Sequence, residues 1–297
     1  MKYAAAADIG GTNTRIALIN EHFQIEERVR FSTDTNDPDH TLRQICETVR
    51  SFPHIVEGLG LSCPGPLDLV SGKVLTPPNL FGRWHNLDIT KELETELQIP
   101  VYLENDANLA ALAEAKTGAG KGLPVVQFFT VSTGFGAGLI LNGKIFHGAH
   151  GFANEVANTI LWKNGPAHGS ILPGGIEALC SGSAIKARAE NCGLAVSHAG
   201  EVTELARRGD PEAQKIMQEA EEYLANYLAG VIGYTDPDII ILGGSVALKT
   251  EGFIEEVQDL VKQKVYSVMV PYVRIEKAAL GDDSGLLGAA CLVFDNQ

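Results

Sequence analysis

The sequence of 297 residues has no run of clustered lysine and arginine, no CxxC pair and no apolar stretch long enough to cross a bilayer. With a formal charge of −14 it lacks the cationic surface that a nucleic-acid backbone requires, so nucleic acid is not an expected partner. Its five cysteines, Cys46, Cys63, Cys180, Cys192 and Cys291, are scattered and odd in number. That pattern predicts reduced thiols of a cytoplasmic protein, each a small buried side chain, and neither a disulfide frame nor a structural zinc site. Apolar runs such as Ile239 to Leu242 stop at Asp-Pro and Gly-Gly, and no membrane association is expected. Lys2 followed by Ala4 to Ala7 looks superficially like a signal peptide, but the apolar stretch is too short, and no cleavage there is expected. A chain of this length with 45% hydrophobic content can bury a substantial core, and two domains are expected.

Glycine, by contrast, recurs at the ends of apolar strands. After a predicted strand at Tyr3 to Ala7 comes DIGGTNTRIALI, in which Gly10 and Gly11 form a tight turn whose amides can approach a phosphate closely. Thr12 and Thr14 add hydroxyls, and Asp8 could hold a hydrated magnesium ion. No GKS or GKT follows, so this is not a Walker loop. VQFFTVSTGFGAGLILNGKIF repeats the strand-turn-strand design, with Ser132, Thr133, Gly134, Gly136 and Gly138 at the turn. A third turn ends the buried strand of DPDIIILGGSVA, at Gly243 and Gly244.

Between the first two lies VYLENDANLAALAEA, Val101 to Ala115, where a strand runs through Glu104, Asn105 and Asp106 directly into a helix. Asn105 or Asp106 suits an N-cap; equally, a carboxylate held at a strand end can reach a substrate. A helix is predicted from about Thr41 to Ser51, a strand over Val56 to Ser62 and a rigid turn at Cys63 to Asp68. In TPPNLFGRW, Asn79 with Trp84 nearby would suit a polyol, and an exposed loop with no such role would look the same. Lys116 to Gly122 reads as a domain connection, and Ala199 to Gly233 as helical, with Asp210 and Pro211 as an N-cap and first-turn pair. Glu155 and Glu177 each follow a glycine turn, where they could be ligands or solvated charges.

DIGGTNT, STGFGAG, IIILGGSVA and LENDAN together resemble the sugar kinase, Hsp70 and actin superfamily. LENDANLAALAE, STGFGAGLILNGKI and GAHGFANE are similar, more narrowly, to the ROK family of sugar kinases and sugar-responsive repressors, over about Asp8 to Ala290. The resemblance implies an α/β, two-domain actin-like ATPase (ribonuclease H-like) fold with an interdomain cleft. Residues 1–117 would form the N-terminal domain, with a C-terminal helix at about 283–297 packing back onto it, and 118–282 the larger C-terminal domain. It implies a homodimer and Mg-ATP-dependent transfer to the 6-hydroxyl of a hexose such as glucose, fructose or mannose. Asp106 would be the general base. Asn79, Asn105, Glu155 and Glu177 match sugar-binding positions. Gly10, Gly11, Thr12, Asn13, Thr133 and Gly134 match the phosphate turns, Gly243 and Gly244 the adenosine side, and Asp8 the magnesium position.

Many family members carry a zinc-ligating histidine in Glu-x-Gly-His and three further thiolates. Here Asn158 stands at the histidine's position, as a candidate sugar contact, and Trp162 to Gly175 contains no cysteine, so no zinc is expected. His168 in that loop reads as a surface residue. N-acetylhexosamine and β-glucoside kinases are alternatives. A non-catalytic sugar sensor is another, though with Asp8 so near the start no DNA-binding domain is expected before the phosphate motif.

Overall fold

A computed structural model describes residues 1–77 and 79–297; Pro78, in the loop carrying Asn79, lies outside the described residues. The chain divides into two compact units, Met1–Thr117 with Gly148–Gly151 and Asp282–Gln297, and Gly118–His147 with Phe152–Gly281.

The first unit opens with an antiparallel meander, β1 (Tyr3–Ile9), β2 (Asn13–Asn20) and β3 (Ile25–Ser32). Next come α1 (Pro38–Ser51), β4 (Leu59–Cys63), the small hairpin β5 (Leu67–Asp68) and β6 (Lys73–Val74), α2 (Ile89–Leu97), β7 (Val101–Asn105) and α3 (Asp106–Thr117). The sheet order is β3-β2-β1-β4-β7, with β4 and β7 parallel to β1. Helix α1 begins before the expected Thr41, because the Asp37 side chain caps it by accepting from Asp39 N at 3.0 Å and Pro38 needs no donor in a first turn.

The second unit starts with β8 (Val125–Val131), β9 (Phe135–Leu141) and β10 (Lys144–Ile145), then α4 (Ile176–Cys180), α5 (Gly182–Asn191), α6 (Ala199–Arg207), α7 (Pro211–Thr235), β11 (Ile239–Gly243), α8 (Ser245–Lys249), α9 (Phe253–Lys264) and β12 (Ile275–Lys277). Its sheet order, β10-β9-β8-β11-β12, repeats the first: an antiparallel meander followed by two parallel strands. The stretch expected to be helical from Ala199 divides at Gly209, whose φ of +92° suits glycine. Asp210 then caps α7 by accepting from Ala213 N at 2.9 Å, with Pro211 in the first turn. The expectation that every cysteine is buried fails at Cys192, which is exposed where α5 ends. No helix among the described residues is long and apolar enough to cross a membrane.

The last helix, α10 (Ser284–Asp295), belongs to the first unit and packs on α3, β1 and β4. Two glycines permit that approach: a Cβ at Gly60 would lie 2.0 Å from the Ala289 carbonyl oxygen, and one at Gly288 2.1 Å from that of Leu109. Helix α3 is rich in alanine and α10 carries glycine and alanine on the face it buries, so backbone approaches backbone across them.

On α7, burial pushes the Glu221 carboxyl up to about 7, and the nearby Glu256 adds to the effect. The folded state therefore holds a proton that the unfolded chain releases near 4.5, so stability falls as pH rises from about 4.5 to about 7 and stays lowered above. Glu221→Gln is expected to raise the melting temperature at pH 8 and to leave it nearly unchanged at pH 5. Scanning fluorimetry at both values checks this; an equal shift at both would contradict it.

Candidate active site

In the first unit, the sheet register aligns the chemistry-bearing residues. Asp8 on β1 pairs with Ser62 on β4, and Ser62 with Glu104 on β7; one residue on, Cys63 pairs with Asn105. The C-terminal ends of three parallel strands thus bring Asp8 and the Glu104-Asn105-Asp106 junction to one edge of the sheet, where open α/β sheets bind ligands. The buried Cys63 thiol lies near both aspartates; its pKa is raised by burial first, then by Asp106 and Asp8.

Across the hairpin, Asp8 faces Arg15, which donates to its Oδ2 from Nε at 3.2 Å and also from Nη2. The other oxygen, Oδ1, lies 3.3 Å from where a Cβ on Gly285 would stand, so the glycine keeps space beside the carboxylate. Gly10 N donates to Asn13 O at 3.0 Å and closes the turn. A Cβ on Gly11 would lie 2.9 Å from Asn79 Cβ, so the Gly10–Gly11 turn and the Asn79 loop are in contact. Thr12 is exposed, but Thr14, expected to offer a hydroxyl, is buried against Thr33, with the two Oγ1 atoms 2.9 Å apart. Trp84 is likewise no platform for a polyol: it is fully buried and its indole N–H donates to Asp34 O at 2.7 Å.

At the β7–α3 junction, Asn105 is the cap. Its Oδ1 accepts from Ala107 N at 2.9 Å and Asn108 N at 3.4 Å, while Asp106 is exposed and its Oδ1 also accepts from Ala107 N, at 2.8 Å. The buried Glu104 accepts from Asn105 N at 2.8 Å and Asn108 Nδ2 at 2.9 Å, so a carboxylate behind the junction fixes it. Glu104 was legible only as one of an acidic-amide trio with Asn105 and Asp106; its bond to Asn108 crosses from β7 to α3, so no helical spacing marks it.

In the second unit, Ser132, Thr133 and Gly134 connect β8 to β9. Phe135 N donates to Glu177 Oε2 at 2.8 Å, and a Cβ on Gly134 would lie 2.9 Å from that oxygen. The structure thus sets Glu177 against the glycine turn, with Oε1 the oxygen left for a ligand. Glu177 N donates to Ala157 O at 3.2 Å, which brings the Glu155–Asn158 segment alongside. Glu155 and Asn158 are exposed; loss of hydration raises the Glu155 pKa, and Asn158 Oδ1 accepts from Leu172 N at 2.8 Å. Gly243 and Gly244 end β11; at Gly244, with φ +85°, a Cβ would lie 2.4 Å from Val131 O. Among the described residues, no group of three or more His, Cys, Asp and Glu side chains is placed to hold a metal ion.

Beside this turn lies a cavity of about 660 Å³, lined by Ser132, Thr133, Gly182, Ser183, Lys186, Ser245, Lys249 and Thr250, among others. Its size suits a nucleotide, and its hydroxyls, lysines and the N-terminus of α5 suit phosphate. Ser181, Gly182 and Ser183 carry no role in the motif reading. The helix-cap pattern of CSGSA could have flagged them: Ser181 Oγ accepts from Ala184 N at 3.2 Å.

Two sheets of the same order, each led by a hairpin with a glycine-rich turn, define an actin-like ATPase fold. The chain matches the ROK family over residues 4–296 and belongs to that family. It is 30% identical to a glucokinase of Thermotoga maritima, covering 96% of this chain and 95% of the relative. It is 33% identical to an N-acetylmannosamine kinase of Escherichia coli, over 98% of each. A ROK hexokinase from Thermus thermophilus matches with a TM-score of 0.89 at 31% identity, covering 99% of this chain and 98% of that one. A ROK glucokinase from Streptomyces griseus, solved with glucose and AMPPNP, matches with a TM-score of 0.79 at 28% identity, over 99% of each.

Proposed function

We propose that this protein is an ATP-dependent sugar kinase that phosphorylates a hexose at its 6-hydroxyl, with Asp106 as the general base. The observation that carries the reading is the division of labour at the β7–α3 junction. Asn105 caps the helix, so the exposed carboxylate of Asp106 is held at a rigid strand end without being required as the cap. Family membership and relatives named as glucokinase and hexokinase support the reaction class.

Asp106 accepts the proton of the 6-hydroxyl as that oxygen attacks the γ-phosphorus, and ADP departs. The Asn105 carbonyl is occupied by the cap, which leaves its amide N–H groups as the donors for a sugar hydroxyl. Asn79, Glu155, Asn158 and Glu177 supply the remaining sugar contacts; Asn158, whose Oδ1 is taken by Leu172 N, again acts through its amide N–H groups. Amides and hydroxyls of Gly11 to Asn13, in the turn that the Gly10 N–H closes on Asn13 O, and of Thr133 and Gly134, receive phosphates, and Gly243 and Gly244 let the nucleoside side approach the backbone. Asp8 fits a magnesium ion held through water, since its Oδ1 has space beside Gly285 while Arg15 occupies Oδ2. Magnesium, when bound, neutralises charge on the phosphates. The exposed Tyr266, Val268 and Tyr272 near the end of α9 support assembly as a homodimer.

The 33% identity to an N-acetylmannosamine kinase favours an N-acetylated hexosamine as a second substrate class. ADP release from Mg-ATP, measured across glucose, mannose, fructose, N-acetylhexosamines and β-glucosides, tests the reading. Turnover with one class is expected. ATP binding with no turnover on any of them would overturn it in favour of a sugar sensor.

A further inference from the structure

The half-buried His168 of the Trp162–Gly175 loop has no part in the chemistry above. Its Nε2 lies 2.8 Å from Ser183 Oγ, which in turn donates to the Thr133 carbonyl at 2.5 Å. A serine hydroxyl has one proton, and a carbonyl only accepts, so the Ser183 proton is committed to Thr133. The first contact must therefore be an Nε2–H of His168 donating to Ser183 Oγ. The chain of bonds has one direction, from the loop through α5 to the glycine turn.

Ser183 and Thr133 line the 660 Å³ cavity. His168 is outside that lining and acts from behind it. The loop that carries His168 is itself fixed: Leu172 N donates to Asn158 Oδ1 at 2.8 Å, and Trp162 stacks on Tyr223 with ring centroids 5.6 Å apart. Ser183 Oγ has a competing partner in Ser181 Oγ, 3.3 Å away. Without the histidine donor, the hydroxyl can turn toward Ser181 and leave the Thr133 carbonyl with only the longer bond from Ser183 N, at 3.3 Å.

We propose that His168 is a positioning residue for the nucleotide side of the site: through Ser183 it holds the Ser132–Phe135 turn in the shape that receives phosphate. The proposal rests on reading the cavity as the nucleotide site. The strength of one hydrogen bond sets the scale of effect, up to about tenfold.

The test compares the full-length wild type with His168→Ala, His168→Gln and Ser183→Ala. His168→Ala is expected to raise the KM for ATP roughly five- to tenfold while kcat and the sugar KM stay within about twofold. His168→Gln, whose side-chain amide can donate from near the Nε2 position, is expected to recover most of the loss. Without nucleotide, hydrogen exchange at the amides of Ser132 and Phe135, which are bonded to Gly134 O and Glu177 Oε2, should quicken in both alanine variants. Unchanged exchange there overturns the proposal. So does an equal loss in the glutamine and alanine variants, since that would mark side-chain volume and not the donor as the cause. Should His168→Ala not fold, Ser183→Ala and His168→Gln decide. Should the wild type turn over no sugar, the kinase reading falls, while the exchange measurement still decides the role of His168.

Discussion

Asp106→Asn is expected to lower kcat about a thousandfold while leaving the fold and the sugar KM nearly unchanged. The substitution preserves shape and removes the carboxylate proposed to take the proton of the attacking hydroxyl. A thousandfold loss corresponds to about 4 kcal/mol of transition-state stabilisation, within the range of a positioned general base. Stability should hold because the cap is Asn105, whose Oδ1 keeps its bonds to Ala107 N and Asn108 N, and because Glu104 still grips Asn105 N and Asn108 Nδ2. Steady-state kinetics beside a thermal melt measures both. A variant retaining more than a tenth of wild-type kcat would remove Asp106 from the role of base.

The second large effect is structural. Gly60→Val is expected to cost the first unit about 3 kcal/mol or more, because the new Cβ would lie 2.0 Å from Ala289 O and 2.6 Å from its carbonyl carbon. Nothing flexible is available to give way, since the obstacle is the backbone of α10, itself held by Gly288 against the Leu109 carbonyl. Relief requires α10 to lift from β4, exposing buried residues such as Leu286, Ala289 and Cys291. The same movement would shift Gly285 from beside Asp8, so activity should fall along with the urea midpoint. An unchanged midpoint would show that the approach of α10 to β4 is not tight.

The fold class and the family were legible in short motifs because their signals are local. A strand that meets Gly-Gly, or one that runs into Glu-Asn-Asp and then alanines, carries its meaning within about ten residues. The choice of cap between Asn105 and Asp106 was not legible, since both residue types cap helices and only backbone geometry separates them. Trp84 read as an aromatic partner for a ligand because neither its burial nor its bond to Asp34, far back in the chain, is marked in the residues around it. Thr14 failed similarly, through its contact with Thr33 on the neighbouring strand. Glu177 and Phe135, like His168 and Ser183, meet only after intervening loops and helices fold, so no spacing announces either pair. Cys192 is exposed because α5 ends there, a boundary that composition does not mark.

The most direct measurement of the central claim is phosphorus–proton correlation NMR on the product formed from Mg-ATP and the best sugar of the panel. The account predicts ADP and sugar phosphate in equal amounts, with the phosphorus coupled to the protons on C6. ADP accumulating with no phosphosugar, or phosphate appearing on a different hydroxyl, would contradict it.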